Sequence, residues 1–393
     1  MRRGNRVASG PHRAVAATLT AALLALGLGA GLMGCAGDKP KPTPLEELTP
    51  RIAGKQVWSA SVGVPVAGGA LAVVHQADQE RVIVAARDGG LSLIDATSGQ
   101  VKERWDAGAR LSAGVGSDGR FAAVVSEDNE LIVMDLQDGG KPRWRSRLGS
   151  RVVTPPLVAG ERVFVQGVDR GVAAFDALDG RKLWSLTRPG EPLALAQRGV
   201  LQAHRDTLLV GLGPRLMGVD PLLGNIRTET VIASPRGTNE VERLADLVGP
   251  PARQGDSLCL RAFQATVACV NADRNSLLWQ RNYPGSEGVA ADADQLYAAD
   301  SSDRVSAWKR ASGDPLWTTE KLRFRALSAP VVAGSTVVFG DFEGWLHFLS
   351  RDKGETLLRL PTDGSPIAQP LTRVGATLLA VTSKGTLYAF RPE

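Results

Sequence analysis

The stretch Asp88-Gly-Gly-Leu-Ser-Leu-Ile-Asp-Ala-Thr-Ser-Gly-Gln-Val-Lys-Glu-Arg-Trp105 decides the fold, because its pattern returns along the chain. The order aspartate, glycine, tryptophan occurs three times in nearly the same spacing: Asp95, Gly99, Trp105; Asp135, Gly139, Trp144; Asp176, Gly180, Trp184. Weaker copies continue to the C-terminus. Eight copies align on positions 95, 135, 176, 220, 271, 309, 350 and 391, which are 38 to 51 residues apart. A period of about forty residues is typical of a propeller or another repeat array.

Two short apolar runs with a turn between them precede each repeated aspartate. In the first copy, residues 82–84 and 91–94 flank the turn Asp88-Gly89-Gly90. Runs of β-branched and aromatic residues separated by Asp/Gly turns are typical of antiparallel hairpins, and no stretch has sustained helical spacing. The sequence therefore predicts an all-β fold, an eight-bladed β-propeller with four-stranded antiparallel blades.

The repeated aspartate, glycine and tryptophan each have a structural interpretation. The carboxylate can accept hydrogen bonds from N–H groups of the following turn, and the glycine can adopt a left-handed conformation there. The tryptophan is predicted to lie on an outer strand and to fill the wedge between blades, where its loss costs about 3–5 kcal/mol. We therefore interpret the tryptophans as core residues.

The two ends of the repeat region complement each other. The last copy stops at Phe390-Arg391 before any tryptophan strand, whereas residues 55–62 carry Trp58 with no copy before them. Pairing these segments would complete the eighth blade, close a propeller domain of residues 55–393 and remove its open edges.

The first 34 residues are predicted to be a signal peptide. Four arginines precede an apolar run from position 14 to position 33, which is typical of a secretory signal, although the run is also long enough for a transmembrane helix. Leu32-Met33-Gly34-Cys35 resembles the lipobox of bacterial lipoproteins, which implies acylation of Cys35 and a lipid-anchored place on the outer membrane, facing the periplasm. Residues 35–54, rich in proline, are then predicted to form a stiff lipidated tether.

Charge and cysteine usage limit the remaining possibilities. The formal net charge of +5 falls to +1 once the four signal arginines are removed, so the basic pI does not indicate nucleic-acid binding. Cys259 and Cys269 lie in two short strands on either side of a predicted turn, and they are either a disulfide or two buried thiols. The four histidines show no metal-binding spacing, so the sequence predicts neither a metal nor a catalytic group.

The repeat resembles that of pyrroloquinoline-quinone-type propellers, some of which are alcohol dehydrogenases. Those enzymes hold the quinone beside a disulfide of adjacent cysteines, and no adjacent cysteines occur here. The comparison favours a protein without a cofactor, and a quinone-dependent dehydrogenase is the least favoured alternative.

The lipobox, the proline-rich tether, Val57-Trp-Ser-Ala-Ser-Val-Gly63 and the repeats together resemble the BamB family of the outer-membrane β-barrel assembly machinery. The resemblance implies a non-enzymatic scaffold that binds the periplasmic domains of BamA, joins other subunits of the complex and assists delivery and insertion of unfolded outer-membrane proteins. A client-holding chaperone that adds client strands to its edges is the alternative.

Two loops carry the partner contact that the resemblance implies. Glu240-Val-Glu-Arg-Leu-Ala-Asp246 lies in the longest interval and resembles the family's acidic loop, with Val248 where a second aspartate is usual. Residues 191–199 resemble the family's Leu-x-Leu-Arg-Gly loop, with Ala196-Gln197 inserted before the arginine. The implied partner-binding residues are Leu193, Leu195, Arg198, Arg243 and Asp246. The two leucines are expected to be exposed and to supply apolar area, while Arg198 and Asp246 stand on the rim of the patch and fix register and partner choice.

Both loops also have a purely structural interpretation. Val241, Leu244 and Val248 have helical spacing, so the insert is alternatively a short surface helix with these residues packed inward. The two leucines of the other loop alternatively pack in a strand. The copy that contains the insert also lacks its tryptophan, since Thr228 stands at that position.

Overall fold

The structure is a computed structural model that describes residues 1, 4, 40–76, 79–188, 193–234, 237–367 and 369–392, without the side chains of residues 75, 76 and 79. The chain divides into a unit Met1–Lys41 and a unit Pro42–Glu393. The predicted signal peptide and Cys35 lie outside the described residues, apart from Met1 and Gly4. No helix among the described residues is long and apolar enough to span a membrane.

The described chain consists almost wholly of short strands. In chain order they are β1 (Lys55–Ser61), β2 (Leu71–Gln76), β3 (Gln79–Ala85), β4 (Gly90–Asp95), β5 (Val101–Asp106), β6 (Leu111–Ser117), β7 (Phe121–Ser126), β8 (Glu130–Asp135), β9 (Pro142–Arg147), β10 (Leu157–Ala159), β11 (Arg162–Gln166), β12 (Val172–Asp176), β13 (Lys182–Leu186), β14 (Leu201–His204), β15 (Thr207–Leu212) and β16 (Arg215–Val219).

The second half continues in the same way. Its strands are β17 (Ile226–Val231), β18 (Leu247–Gln254), β19 (Ser257–Ala262), β20 (Thr266–Asn271), β21 (Ser276–Asn282), β22 (Ala290–Ala291), β23 (Gln295–Ala299), β24 (Val305–Lys309), β25 (Pro315–Thr319), β26 (Val331–Ala333), β27 (Thr336–Gly340), β28 (Trp345–Ser350), β29 (Thr356–Pro361), β30 (Thr372–Val374), β31 (Thr377–Val381) and β32 (Thr386–Arg391). A 3-10 helix, Leu136–Asp138, follows β8.

These strands form an eight-bladed β-propeller of four-stranded antiparallel blades, which confirms the predicted fold. Blade 1 is β2 to β5, and each following blade takes the next four strands up to β29. Blade 8 combines β30, β31, β32 and β1, because β1 pairs with β32 from Lys55 opposite Arg391 to Ser61 opposite Thr386. The N-terminal strand therefore closes the ring as the sequence predicted.

The repeated tryptophan lies on a glycine of the next blade, which is the repeated glycine except in blade 2, where Gly140 takes the place expected for Gly139. This contact occurs at six of the eight interfaces between described blades: Trp58 on Gly99, Trp105 on Gly140, Trp144 on Gly180, Trp184 on Gly224, Trp279 on Gly313 and Trp317 on Gly354. A Cβ added to any of these glycines would lie 2.0 to 2.7 Å from the nearest ring atom, and each glycine has a φ between 65° and 77°. Both the ring and the left-handed backbone thus require glycine.

Hydrogen bonds orient the rings and the turns beneath them. Trp184 donates its indole N–H to the carbonyl of Pro221 at 3.0 Å, and four other tryptophans make the equivalent bond. The Asp95 carboxylate accepts backbone N–H bonds from Ser98 and Thr97, which hold its pKa below the ordinary value. The role predicted for the aspartate is confirmed.

Two interfaces lack the tryptophan. We call the position that faces the ring, a glycine at the other six interfaces, the socket. Between blades 4 and 5, Thr228 replaces the tryptophan and Asn275 replaces the glycine, and the Asn275 amide donates to the Thr228 hydroxyl at 3.0 Å. Between blades 7 and 8, Leu358 takes the place of the ring and lies against Gly54, where a Cβ would be 2.9 Å from Cδ2. Both partners have therefore changed between blades 4 and 5, whereas only the ring has changed between blades 7 and 8, where the facing residue is still a glycine.

Every outer strand carries an irregularity that the sequence did not reveal. In each of the eight blades, the pairing between the third and fourth strands shifts register by one residue. One residue of the fourth strand is therefore left unpaired, close to the tryptophan position. Such bulges bend a strand and increase its twist, which makes an exposed edge a poor template for pairing with another strand.

From Thr43 onward the predicted tether is hydrogen-bonded to the ring. The Thr43 N–H donates to the Arg323 carbonyl at 2.9 Å, and Arg325 donates to the Thr43 carbonyl at 3.2 Å. Further along, the Arg51 N–H donates to the Leu357 carbonyl. From Thr43 onward this segment therefore has backbone and side-chain partners on blade 7 and on the connection between blades 6 and 7.

Cys259 and Cys269 form a disulfide within blade 5. They are directly opposite each other on β19 and β20, with their Cα atoms 4.0 Å apart. Both side chains are fully buried.

The glycine sockets give a direct stability prediction. We expect Gly180→Ala to lower the free energy of unfolding by about 3–5 kcal/mol, because the methyl group displaces the Trp144 ring from its contact. Gly139→Ala is the matched control, since Gly139 has a similar φ of 68° but no neighbour within 4 Å of its Cβ position. This substitution should lower the free energy of unfolding by only about 1–2 kcal/mol, which is the cost of a left-handed backbone at a residue with a Cβ. Equal losses in urea unfolding would contradict the packing role.

The altered interface between blades 4 and 5 predicts a favourable coupling between two substitutions. Thr228→Trp alone should destabilise the ring, because the indole meets the Asn275 side chain where other blades have glycine. Asn275→Gly in the same chain should relieve part of that loss. A double-mutant cycle measured by chemical unfolding should give a coupling of about 1–3 kcal/mol, and additive effects would refute the socket interpretation.

Candidate functional site

Residues 193–199, here called the leucine loop, belong to the connection between blades 3 and 4. The loop carries the predicted residues Leu193, Leu195 and Arg198. Residues 189–192, which include the start of the sequence motif, lie outside the described residues. Leu193 is 36% exposed, and Leu195 is partly buried. Neither leucine belongs to a strand, so the interpretation that they pack in a strand is wrong.

Bonds from three other blades fix this loop. The Gly199 N–H donates to the Thr154 hydroxyl at 2.9 Å, and Gly199 also bridges to Val248 at the start of blade 5. The Gln197 amide donates to the Ser286 carbonyl at 2.8 Å. Because its backbone is tied on both sides, the loop presents its leucines in a defined position.

The structure brings Asp246 to the leucine loop, as the sequence comparison implied. One carboxylate oxygen accepts the Leu195 N–H at 3.3 Å, and the other pairs with the Arg170 guanidinium at 3.4 Å. Arg170 also donates to the Leu193 carbonyl at 3.1 Å. The side chains of Arg170 and Asp246 are only 16% and 14% exposed. Asp246 therefore holds the loop in place instead of standing free at a rim.

Sequence reasoning missed Arg170, which together with Asp246 holds the leucine loop. We call this pair of residues the latch. It lies in the turn between β11 and β12 with a φ of 63°, a left-handed conformation uncommon for a residue with a side chain. The only signal in the sequence is an arginine before Gly171, at a turn position that other blades fill mostly with Gly, Asn or Asp. Its partner Asp246 is 76 residues away along the chain.

Arg198 does not reach the rim that was predicted for it. Its guanidinium points toward Gly69 and Pro155, so that a Cβ on Gly69 would lie 2.8 Å from Nη1. Removal from water lowers the pKa of Arg198 to about 10. The inserted Ala196-Gln197 pair places the exposed Ala196 and the bonded Gln197 between Leu195 and this arginine.

The insert that contains Arg243 is a turn. Asn239 accepts the Glu242 N–H through its side chain, and Glu242 accepts the Thr238 N–H in return. Val241 is 67% exposed, and Val248 belongs to β18, so the alternative of an inward-packed surface helix is wrong. Arg243 is partly buried and follows this turn, a few residues before Asp246.

The chemistry of this region is that of a contact surface. The cavity beneath the leucine loop has a volume of about 40 Å³. Sites for organic ligands occupy about 300–1,000 Å³, so this cavity accepts at most a few waters. What the loop offers outward is an apolar side chain, Leu193, on a rigid backbone.

One group of side chains among the described residues has the composition of a metal site. His204, Asp256 and Asp273 have ligand atoms within 4.8 Å of one another, brought together from turns of blades 4 and 5. Arg205 already pairs with both carboxylates, at 2.9 Å to Asp256 and 2.7 Å to Asp273. The guanidinium supplies the positive charge that these carboxylates require, so the group is explained as an ion-pair network.

Comparisons with known proteins agree with this architecture. A family model described as outer membrane protein assembly factor BamB matches residues 87–319. A protein of that name from Bordetella pertussis is 35% identical over 377 residues, which cover 95% of this chain and 96% of the relative. The chain belongs to the BamB family. A BamB from Burkholderia pseudomallei is 36% identical over 354 residues, covering 90% of this chain and 92% of its own.

Solved structures show the same fold at lower identity. BamB from Moraxella catarrhalis superimposes with a TM-score of 0.76 at 23% identity, covering 86% of this chain and 99% of that protein. The quinohemoprotein alcohol dehydrogenase from Comamonas testosteroni gives a TM-score of 0.65 at 13% identity, covering 89% of this chain and 78% of the enzyme. At these identities, both matches concern the propeller alone.

The latch predicts a local effect of losing Asp246. We expect Asp246→Ala to speed hydrogen exchange of the Leu195 amide by about ten-fold or more, because that N–H loses its acceptor and Arg170 loses its partner. Glu240→Ala removes an exposed carboxylate from the same insert and serves as the control. An unchanged Leu195 exchange rate in the Asp246 variant would show that the loop is held by its other bonds alone.

Proposed function

We propose that this chain is a non-enzymatic scaffold of the outer-membrane β-barrel assembly complex, which binds the periplasmic domains of BamA through the leucine loop. The single observation that carries the proposal is the latch of Arg170 and Asp246, which fixes the loop that the family comparison had implied. The relatives are named for outer-membrane protein assembly, which supports membership of the same complex and contacts with its other subunits.

The residues of the proposed interface have different tasks. Leu193 and Leu195 supply apolar contact area, which is what the centre of a protein interface requires. Asp246 holds their backbone. Arg243 contributes positive charge beside the patch and gives it a preference for an acidic partner surface. Arg198, whose guanidinium points toward Gly69, supports the loop from beneath.

The chaperone alternative finds less support. Strand addition needs a straight, unpaired edge, and all eight outer strands are bulged near their tryptophan positions. A role in delivering unfolded clients would therefore depend on BamA, the proposed partner of this chain. The only support for the dehydrogenase alternative is the propeller fold that this chain shares with the quinohemoprotein alcohol dehydrogenase.

The proposal includes attachment to the outer membrane by acylation of Cys35, with the ring facing the periplasm. Because residues from Thr43 onward lie on blades 6 and 7, only the short segment 35–42 would separate lipid from ring. The Cys259–Cys269 disulfide agrees with an oxidising compartment such as the periplasm.

The proposed interface predicts how a single negative charge in the leucine loop affects binding of BamA. We expect Leu193→Glu and Leu195→Glu each to reduce co-purification of BamA from detergent-solubilised envelopes by about ten-fold or more, because a carboxylate replaces apolar contact area. The midpoint of thermal unfolding should change little for Leu193→Glu, since this side chain is exposed.

Val64→Glu is the matched control, because Val64 is 55% exposed in the connection between blades 8 and 1. It should leave co-purification intact. Retention of BamA by both leucine variants, with the ring folded, would exclude the leucine loop as the contact.

A further inference from the structure

Exposed apolar side chains concentrate on one edge of the ring that the proposed function does not use. Apart from Met1, eleven large apolar side chains are exposed among the described residues. Seven of them lie in the turns between third and fourth strands, or at the start of the fourth strand, in blades 3 to 6. We call these the leucine rim: Leu178, Leu222, Leu223, Ile226, Leu277, Leu278 and Leu316.

Contacts between blades place the turns of the leucine rim side by side. Trp184 of blade 3 bonds the Pro221 carbonyl beside Leu222, and Thr228 of blade 4 meets Asn275 just before Leu277. Trp279 of blade 5 bonds the Arg310 carbonyl in the turn that leads to Leu316. A run of exposed apolar side chains of this extent marks an interaction surface.

The tip of blade 4 is built to enter an apolar medium. Leu222 and Leu223 are 57% and 67% exposed, and both of their N–H groups donate to the Asp220 carboxylate, at 2.7 and 3.0 Å. The next N–H, of Gly224, donates to the Asp220 carbonyl. Because these donors are satisfied inside the turn, burying the two leucines in lipid does not strip the backbone of bonds to water.

The charged residues on the turns of the leucine rim indicate which kind of surface the rim would contact. Arg181, Lys182 and Arg274 are exposed on the same turns, and none of them makes an ion pair within the described chain. Two rim carboxylates are already paired, Asp220 with Arg227 and Asp273 with Arg205. Two exposed carboxylates on these turns, Asp179 and Asp314, make no ion pair within the described chain, and with the exposed Lys309 the unpaired basic side chains outnumber them by four to two. Exposed leucines with free basic residues beside them are the combination that binds the surface of a bilayer containing anionic lipid.

We propose that the leucine rim of blades 3 to 6 contacts an anionic membrane surface, with Leu222 and Leu223 entering the boundary between headgroups and acyl chains. This contact is separate from the leucine loop, which belongs to the connections between blades. It gives the ring a second point of attachment and thereby a defined orientation on the bilayer.

The test places a photoreactive amino acid at Leu222 or at Leu278 of the purified mature protein, reconstituted in vesicles of phosphatidylethanolamine and phosphatidylglycerol. We expect the yield of lipid adducts to exceed that at Val64, which has nearly the same exposure, by about ten-fold. The pair of substitutions Arg181→Glu and Lys182→Glu should lower the Leu222 yield by about ten-fold, while phosphatidylcholine vesicles should give a low yield from the start.

Equal yields at Leu222 and Val64 would overturn the proposal. So would adducts at Leu222 that form only with a protein subunit when the whole complex is present, because the rim would then be a protein contact. Co-purification of BamA is measured separately, so failure here leaves the leucine loop unaffected.

Discussion

The packing of each tryptophan ring on a glycine of the next blade is the contact on which the structure depends. Six interfaces use it, including the one between blades 8 and 1 that joins the two ends of the chain. The glycine meets two demands at once, a left-handed backbone and the absence of a Cβ under the ring. Since the pair recurs at six of the eight interfaces, most neighbouring blades take nearly the same relative position, and closure follows from repetition.

A rigid ring allows loops from distant parts of the chain to meet. Arg170 and Asp246 belong to different blades, and together they fix the backbone of the leucine loop. The position of the loop therefore depends on the ring, since Leu193 and Leu195 keep their place only while the blades beneath them do. The same turns that hold tryptophans on the opposite edge carry the exposed leucines of the rim.

The repeat spacing sufficed to predict the number of blades, their antiparallel strands and the closure by residues 55–62, because those features follow from local pattern. It did not reveal the latch, since Arg170 finds its partner 76 residues away through the shape of the ring. It placed Arg198 on a rim, whereas the inserted Ala196-Gln197 pair leaves that arginine pointing inward. The prolines of the tether indicated an extended chain, but not the bonds that Thr43 and Arg51 make with the ring.

The central claim is that the leucine loop, held on a rigid ring, meets one defined partner. Its most direct measurement is site-specific photocrosslinking from position 193 in intact cells, followed by identification of the adducts by mass spectrometry. A single major adduct with BamA, lost when Asp246 is replaced by alanine, is the expected result. Adducts with many unfolded outer-membrane proteins and none with BamA would contradict the account.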